Sequence, residues 1–378
     1  MARIVHLANF FGPRSGGLRT TMTRLAEGYI AAGHEVHMVI PNQPSGWRPK
    51  TQATVHSLAS IAIPRSGGYR IVLSTRHIRQ ALDTIEPDIV ELSDRLTLLS
   101  AARWARKNNT QCTLFAHERI DGVLAEYASG LPGRGIANRM NERIASEVDT
   151  IVTTTRYAAA EFDRISIPTC HVPLGVDTDR FRPLVRNSDD ARPIDLVLCS
   201  RLSPEKHPHK AIEVLAAGHR LGRKWHLTVV GDGPRMRDLR KMADGLPVTF
   251  VGFVSSPQDV AAILQRSDVA LAPGPIETFG LAALEALSCG TPVVCSNRSA
   301  LPEVVGQAGY AVSENVDAWI RAIDRLVHPS QLHVRTLARE QALQLPWQRA
   351  IDRMLTIHGL MAATPSTEIP KRFEPQAA

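Results

Sequence analysis

The sequence predicts an α/β protein built from two doubly wound parallel sheets, one in each half of the chain. Its 378 residues, 44% of them hydrophobic, are enough for two domains that each bury a core. Short β-branched runs alternate with helical patterns along the chain, which is typical of parallel sheets covered by helices on both faces. Residues 172–193 are rich in Pro, Asp and Arg and lack a periodic apolar pattern, so they indicate the boundary between the halves.

Short apolar runs in each half are the predicted strands. They are residues 3–9, 35–41, 53–58, 88–94, 112–117 and 150–155, followed by residues 194–200, 225–231, 248–254, 268–274 and 292–296. Open α/β sheets bind ligands at the carboxyl ends of their strands. We therefore expect a site in a cleft where two such edges face each other.

The chain is predicted to divide into two domains, a C-terminal helix and a tail. The domains are residues 1–182 and 183–346. Residues 347–363 follow a proline, have one apolar and one polar side, and are expected to pack back onto the first domain. Residues 364–378 contain three prolines and are expected to be disordered.

Composition narrows the classes of function. No apolar run approaches the roughly 18 residues of a membrane span, and no signal-peptide cleavage site follows the first strand. The five cysteines form no C-x-x-C pair, which indicates reduced thiols. We expect a cytoplasmic protein, or one peripheral to the inner face of the cell membrane. An aromatic content of 5%, not interleaved with basic residues, argues against nucleic-acid binding.

The formal net charge of +7 lies mostly in the first half, where residues 1–185 hold 22 Lys/Arg against 17 Asp/Glu. Such an excess fits a solvated surface, an anionic membrane or a phosphate-bearing substrate. Within residues 63–82, a helix is predicted from about Tyr69. This helix would have a basic and an apolar side. The whole segment carries four arginines with apolar residues interspersed among them: Arg65, Arg70, Arg76 and Arg79, and Ile71, Val72, Leu73, Ile78 and Leu82. Docking on anionic lipid is one interpretation, and an ordinary helix with a solvated basic face is the other.

The stretch PIETFGLAALEALSCGTPVV carries two glutamates, Glu277 and Glu285. A helix is predicted from Phe279 to about Ser288, with Glu277 just outside it and Glu285 about two turns inside. Gly280 would allow a ligand to approach the helix N-terminus, which suits a phosphate. The two carboxylates would accept hydrogen bonds from sugar hydroxyls. The alternative is one capping acid and one exposed helix residue.

Three further loops end strands of the same predicted sheet. Arg201 and Lys206 lie after its first strand and would neutralise a diphosphate. The alternative is that they are two solvated charges in a loop. Gly231 begins the turn GDGP, which alone is a weak signal. Val254 ends a third strand and would frame a base. Because parallel strands end at one edge, we expect all of these residues to lie together.

The first domain contributes two candidate loops. Gly16 and Gly17, between the first strand and its helix, would let the backbone approach a diphosphate. His117 ends a strand, where a histidine can be either structural or functional. Asp94 and Arg19 are weaker candidates for contacts with an acceptor.

The combination of Arg201, Lys206, the turn GDGP and the motif E-x-F-G-x-x-x-x-E resembles retaining glycosyltransferases of the GT-B fold, in their large fourth sequence family. Residues 175–181 look like that family's linker strand, and residues 346–350 like the start of its crossover helix. The resemblance implies an N-terminal acceptor-binding domain and a C-terminal nucleotide-sugar-binding domain. It also implies that Glu277 holds the transferred sugar, Glu285 the ribose, and the two basic residues the diphosphate.

More narrowly, the segments GPRSGGLRT, SDRLTL, HERID, EFDRI, RLSPEKH and APGPIETFGLAALE resemble actinobacterial phosphatidylinositol mannoside mannosyltransferases. This resemblance implies GDP-mannose as donor, a lipid-linked or polyol acceptor, and a contact of His117 with the donor sugar near the reacting carbon. Another nucleotide sugar such as a UDP-sugar, with a soluble acceptor, remains an alternative. Two further alternative functions are a nucleotide-sugar epimerase and a non-catalytic nucleotide-sugar sensor, both on the same fold.

Retaining transfer in this family takes place on one face of the sugar and requires no protein nucleophile, so positioning and charge stabilisation are the expected contributions of the protein. No metal and no cofactor besides the donor are expected. The sequence DTD at residues 177–179 imitates a metal-binding D-x-D, but it lies in the linker, away from the predicted phosphate site.

Overall fold

The computed structural model describes residues 1–13, 15–43, 46–63, 68–127, 133–184, 192–328 and 331–361. The chain forms two compact units. Unit 1 holds Met1–Leu174 and the segment that starts at Trp347, and unit 2 holds Gly175–Pro346. The α/β class with two parallel sheets is confirmed. The chain passes from one unit to the other after Leu174, whereas the sequence places this boundary after residue 182.

Among its described residues, unit 1 opens with nine strands and six helices. The strands are β1 (Arg3–Leu7), β2 (Glu35–Pro41), β3 (Thr54–Leu58), β4 (Ile61–Ala62), β5 (Arg70–Ile71), β6 (Ile89–Leu92), β7 (Gln111–Ala116), β8 (Thr150–Thr153) and β9 (Cys170–His171). The helices are α1 (Gly17–Ala31), α2 (Thr75–Ile85), α3 (Leu99–Lys107), α4 (Ile120–Tyr127), α5 (Gly133–Ala145) and α6 (Arg156–Asp163).

Seven of these strands form one parallel sheet in the order β3-β2-β1-β6-β7-β8-β9, and β4 pairs with β5 in a small antiparallel ribbon. The strand order reverses between β1 and β6. Their central residues Val5, Leu7, Val90 and Leu92 are almost fully buried, because helices cover both faces of the sheet. The carboxyl ends of β1, β6 and β7 therefore lie side by side.

The part of unit 2 that the structure describes contains six strands and seven helices. The strands are β10 (Ile194–Cys199), β11 (Trp225–Val230), β12 (Val248–Gly252), β13 (Val269–Ala272), β14 (Val293–Ser296) and β15 (Gly309–Val312). The helices are α7 (His209–Arg220), α8 (Met236–Met242), α9 (Pro257–Arg266), α10 (Leu281–Ser288), α11 (Leu301–Val305), α12 (Val316–Leu326) and α13 (Gln331–Leu343). All pairs in the sheet are parallel, in the order β12-β11-β10-β13-β14-β15, so the reversal point lies between β10 and β13.

The last helix, α14 (Trp347–Ile357), returns to unit 1 and packs against α1, as the sequence predicts. Its apolar side buries Trp347, Ile351 and Met354. The two helices approach closely because α1 has a glycine at the contact: a Cβ on Gly28 would lie 2.4 Å from the side chain of Ile351.

Several predicted boundaries are wrong. The helix expected from Tyr69 begins only at Thr75, where the Ser74 hydroxyl accepts a hydrogen bond from the His77 amide, and Arg70 lies in β5. Strand β15 was not predicted. Of the predicted linker strand, only Val176 pairs, in a single bridge to Pro346. Residues 364–378, the predicted tail, lie outside the described residues.

Candidate active site

At the reversal point of unit 2, a lysine from one loop meets a glutamate from another. Lys206 follows β10 in a short 3-10 turn, and Glu277 follows β13. The Lys206 Nζ lies 2.7 Å from the Glu277 Oε1, and both side chains are 23% exposed. The pair is thus a cation and an anion held together at the carboxyl edge of the sheet, where a ligand can reach both.

The glycine turn after β11 holds the Lys206 loop in place. Gly231 has a φ of +132°, and a Cβ there would lie 1.9 Å from the carbonyl oxygen of Ser200. A Cβ on Gly233 would lie 2.4 Å from the carbonyl oxygen of Leu202, whose amide donates to the carbonyl of Asp232. Both glycines are required because the two loop backbones pack directly against each other. The turn GDGP supports the basic loop as well as lining the same edge.

Arg201 lies at the start of this basic loop. Its guanidinium pairs with the Glu205 carboxylate at 3.3 Å, and the Ser203 hydroxyl also donates to that carboxylate. Arg201 keeps 29% of its side chain exposed. The loop therefore presents two cations, Arg201 and Lys206, and each has a carboxylate partner in the same edge region.

Helix α10 starts two residues later than the sequence predicts. Gly280 adopts a left-handed conformation with a φ of +87°, so the helix begins at Leu281 and Phe279 lies buried in the preceding loop. A Cβ on Gly280 would lie 2.2 Å from the side chain of Leu301, so only glycine fits here. Glu285 consequently lies little more than one turn into the helix, and the prediction of two turns is wrong.

The electrostatics place Glu285 near the end of β10. Burial raises the pKa of the Cys199 thiol to about 12, and the carboxylate of Glu285 adds to that shift. Cys199 is the last residue of β10, so the charge of Glu285 acts at the end of this strand. Val254 is half-buried just beyond the edge strand β12, and its neighbour Phe253, which the sequence reading overlooked, is exposed.

In unit 1, the loop after β1 leads directly into helix α1. The Ser15 hydroxyl accepts from the amide of Gly12 and donates to the carbonyl of Phe10, both at 2.7 Å. Gly16 is the N-cap and Gly17 the first residue of α1. A Cβ on Gly16 would meet nothing within 4 Å, so this glycine leaves open space instead of filling a packed contact.

His117 directly follows β7, at the carboxyl edge of the sheet in unit 1. Its ring stacks on that of Phe115, with 4.4 Å between centroids. The residue keeps some exposed surface, but it lies deep enough for burial to lower its pKa to about 3. The carboxylate of Glu91 acts in the opposite direction, while His6 and Arg95 lower the pKa further. The imidazole is therefore neutral at physiological pH.

Asp94 and Arg19 brace their own loops. The Asp94 Oδ1 accepts hydrogen bonds from the amides of Leu96 and Thr97, at 2.7 Å and 3.1 Å. Arg19 donates from its guanidinium to the carbonyl of Pro13, and burial lowers its pKa. The structure thus shows a local role for each, at the ends of β6 and β1 respectively, and their suggested contact with an acceptor stays a prediction.

Comparisons with known proteins identify the family. Residues 193–328 match the family model described as glycosyl transferases group 1, and residues 16–175 match the glycosyl transferase 4-like domain. Over 371 residues the chain is 42% identical to the GDP-mannose-dependent alpha-(1-6)-phosphatidylinositol dimannoside mannosyltransferase of Mycobacterium tuberculosis, with 96% of this chain and 97% of the relative covered. The chain belongs to the GT-B glycosyltransferases.

Solved structures agree on the fold of this glycosyltransferase. Sucrose-phosphate synthase from Thermosynechococcus elongatus matches with a TM-score of 0.77 at 19% identity, covering 95% of this chain and 98% of the other. HepE from Anabaena, in complex with UDP and glucose, matches with a TM-score of 0.73 at 17% identity, covering 94% and 99%. At these identities the likeness concerns the fold.

The strand orders of the glycosyltransferase explain how its candidate residues group. On the edge of unit 2 lie Arg201, Lys206, Gly231, Val254, Glu277, Phe279, Gly280 and Glu285. On the edge of unit 1 lie Gly16, Gly17, Arg19, Asp94 and His117. The sequence therefore predicted two sets of edge residues, one on each sheet.

Sequence reasoning missed a buried ion pair in unit 1 of the glycosyltransferase. The Arg95 Nη1 donates at 2.7 Å to both Glu161 and Asn141, and the Arg95 Nη2 donates to the carbonyl of Glu118. The Glu161 carboxylate also accepts from the amide of Asp121 at 2.7 Å. This network ties the loop after β6 to the loop that carries His117. The sequence signal for this network was Glu161 on the otherwise apolar side of α6, for which the sequence indicated no basic partner.

The D-x-D sequence has a local role in the part of the linker that the structure describes. The Asp177 carboxylate accepts from the amide of Arg180 at 3.1 Å and pairs with its guanidinium at 3.4 Å, which closes a turn. Within the described ranges, no cluster of three His, Cys, Asp or Glu side chains has the arrangement of a metal site. No helix among the described residues is long and apolar enough to cross a bilayer.

Proposed function

We propose that this glycosyltransferase is a metal-independent, retaining α-mannosyltransferase that moves mannose from GDP-mannose to a phosphatidylinositol mannoside. The observation that carries the proposal is the Lys206–Glu277 pair at the reversal point of unit 2, in a chain 42% identical to a relative that bears this activity in its name. The pair supplies one group for an anionic leaving group and one for sugar hydroxyls, 2.7 Å apart.

The donor would be held by the edge of unit 2. Lys206 and Arg201 bind the diphosphate. The guanidinium of Arg201 donates two parallel hydrogen bonds to its oxygens, and the ammonium of Lys206 adds a compact positive charge. Glu277 accepts hydrogen bonds from the hydroxyls of the mannose. Glu285 does the same for the ribose, which suits its place near the end of β10. The backbone around Gly231, Phe279 and Gly280 lies beside the phosphates, and Val254 lies beside the base.

The acceptor would be bound by unit 1. The same unit also contributes to binding the donor, since Gly16 and Gly17 open the N-terminus of α1 to the oxygens of its diphosphate. His117, kept neutral by burial, contacts the mannose near its reacting carbon without adding positive charge there. Asp94 in the loop after β6 and Arg19 in the first turn of α1 contact the acceptor.

Transfer would proceed on one face of the sugar. The bond between the anomeric carbon and the phosphate oxygen breaks as the acceptor oxygen bonds to that carbon from the same side. The acceptor hydroxyl gives its proton to the departing phosphate oxygen, so GDP carries it away. Lys206 and Arg201 stabilise the charge that develops on the diphosphate, which is the largest contribution the protein makes.

The direct test uses the full chain with GDP-mannose and phosphatidylinositol dimannoside in mixed vesicles. We expect one added mannose by mass spectrometry and an α linkage by NMR. Parallel reactions contain UDP-glucose, or a soluble polyol as acceptor. GDP release without added sugar, a β linkage, or preference for the UDP-sugar would each refute the corresponding part of the proposal.

Transfer should not depend on a divalent cation, because Lys206 and Arg201 already supply the positive charge. We expect the initial rate in excess EDTA to equal the rate in magnesium. A rate that collapses in EDTA and returns on adding magnesium or manganese would contradict this.

We also propose that unit 1 docks on anionic lipid, through a smaller surface than the sequence predicts. Ile78 and Leu82 are buried in the core, so the apolar side of α2 does not face outward. Arg70 donates to the hydroxyl and carbonyl of Ser60, at 2.8 Å and 2.6 Å, and braces the ribbon. Arg65 lies outside the described residues.

The lipid-docking surface is therefore defined by the exposed Arg76 and Arg79 on α2, the exposed Leu73 just before this helix, and the exposed Ile61 in the ribbon that precedes it. Two arginines close to an anionic surface would contribute about 1 kcal/mol each. The exposed leucine and isoleucine would add apolar contact with the headgroup region.

A further inference from the structure

A carboxylate lies at the centre of unit 1, beneath the edge that carries His117. Glu91 on β6 is 3% exposed. Its oxygens lie 2.8 Å from the Nδ1 of His6 on β1, and 2.6 Å from the Nε2 of His358, just after α14. The hydroxyl of Tyr29 on α1 donates to it at 2.7 Å. Burial alone would raise the pKa of Glu91, but the two histidines hold it well below its ordinary value, so the group is an ionised carboxylate.

Beside this carboxylate is a narrow cavity lined by unsatisfied polar atoms. The Nε2 of His6, the hydroxyl of Thr21 and the hydroxyl of Ser93 are buried and have no hydrogen-bond partner among the described residues. All three residues line one cavity of about 10 Å³, together with Glu91 and His117. His6 and Thr21 are 2% and 0% exposed. Leaving three such atoms unpaired would destabilise the folded chain, because each has lost water without gaining a protein partner.

We propose that this cavity holds one bound water, which joins the buried Glu91–His6 pair to the imidazole of His117. The volume is about the minimum for a single water, and the polar atoms around it are enough to bind one. Thr21, Ser93 and Glu91 are then positioning residues that fix the ring orientation and tautomer of His117. The kinetic part of this inference rests on the proposed contact of His117 with the donor sugar, whereas the water and its effect on the ring do not.

The hydrogen-bond directions are consistent. When the Nδ1 of His6 donates to the Glu91 carboxylate, the Nε2 of a neutral ring is an acceptor. The water donates one proton to that nitrogen. Its second proton and its two lone pairs are left for hydrogen bonds with the hydroxyls of Thr21 and Ser93 and with His117. Among the groups whose charge acts on His117 are Glu91 and Arg95, and the carboxylate is the one that favours a positive charge nearby.

The test uses three variants of the full chain: Thr21→Val, Ser93→Ala and the two combined. Each substitution removes a hydroxyl partner of the water and changes the shape of the side chain little. We expect a high-resolution crystal structure of the unchanged chain to show the water and that of the double variant to lack it. The ring-nitrogen NMR signals of His117 should shift in the variants without any substrate present. In the transfer assay, kcat should fall roughly tenfold to a hundredfold while the KM for the donor stays constant.

Thr113→Val is the matched control. The Thr113 hydroxyl is also buried and without a partner, on the strand that leads to His117, but it does not line the cavity. It should leave the His117 signals and kcat unchanged. A high-resolution electron-density map of the unchanged chain without the water would overturn the proposal. So would ring-nitrogen NMR signals of His117 that do not move in the double variant. If the water and the NMR shifts are found but no mannose is transferred, the proposed function fails and the water site stands.

Discussion

Single residues at the edge of unit 2 divide the recognition of the donor between them in the proposed function. Glu277 lies in the loop after β13 and reaches Lys206, while Glu285 lies inside α10 and acts on Cys199 at the end of β10. The proposal gives Glu277 a contact with the reacting sugar and Glu285 a contact with the ribose, which does not react. The two acids should therefore affect different steps.

Glu277→Gln should lower kcat by about 100- to 1000-fold, because it removes an interaction with the reacting sugar, and should leave GDP affinity largely unchanged. Glu285→Gln should instead weaken GDP binding. Isothermal calorimetry with GDP and initial-rate assays measure the two effects. Each variant is the control for the other, and equal losses of GDP affinity would show that the two roles are not separate.

His117 should remain neutral over the range in which the enzyme works. Because burial lowers its pKa to about 3, the folded chain does not protonate it between about pH 5 and 8. An unfolded chain would bind that proton near pH 6.5, so His117 favours folding at neutral pH and loses this contribution as the pH falls toward 3. An NMR titration of its ring nitrogens should show no step in this range. A midpoint near 6.5 would contradict the assignment.

At the scale of elements, the site of unit 2 depends on two loop backbones in direct contact. The turn after β11 packs against the loop after β10 through Gly231 and Gly233. Loops carry function only when a rigid scaffold holds them, and here the scaffold is the pair of adjacent parallel strands. A change in the turn should therefore act on the charges in the neighbouring loop.

Gly231→Ala should displace the basic loop, since its Cβ would lie 1.9 Å from the carbonyl oxygen of Ser200. We expect a marked loss of GDP affinity, measured by calorimetry, and a destabilisation of about 1–3 kcal/mol in denaturant unfolding. Gly222→Ala is the control, because Gly222 also has a positive φ, of +76°, but has nothing within 4 Å of the added Cβ. It should lower stability and leave GDP affinity unchanged. Similar losses of affinity in both variants would exclude the clash as the cause.

At the scale of the whole molecule, the charge excess is concentrated in the first half of the chain. That half includes the lipid-docking surface on unit 1, with two exposed arginines beside two exposed apolar residues. Attraction to anionic lipid acts through such surface charge and weakens with salt. The distribution of charge, more than its total, should decide whether the protein binds membranes.

Arg76→Glu with Arg79→Glu should release the full chain from anionic vesicles in co-sedimentation, and should lower activity on a lipid acceptor more than on a soluble analogue. Arg220→Glu with Lys224→Glu, two exposed positions on unit 2, changes the net charge equally and should leave binding intact. If both double variants bind like the unchanged chain, or the unchanged chain does not bind, the lipid-docking surface is not used and a soluble acceptor is favoured.

The sequence alone determined the fold class and most of the elements that carry the candidate site. Near-continuous apolar runs predict buried parallel strands because strand length and periodicity are local properties. Glycines, acids and basic residues directly after those runs predict loops at the carboxyl edge of a sheet, because their position after a strand is also a local property of the sequence. Boundaries set by backbone conformation were less accurate: the left-handed Gly280 delays α10 to Leu281, and Ser74 places the start of α2 at Thr75.

The tertiary structure alone decided which of these residues meet. Lys206 and Glu277 are 71 residues apart and touch because β10 and β13 are neighbours, an order that no local pattern encodes. Glu91 and His358 are 267 residues apart and meet because the last helix returns to unit 1. Burial likewise turned Ile78 and Leu82 away from solvent and held His117 neutral. Such contacts depend on how distant segments share one core, so they follow from packing and not from the residues beside them in the chain.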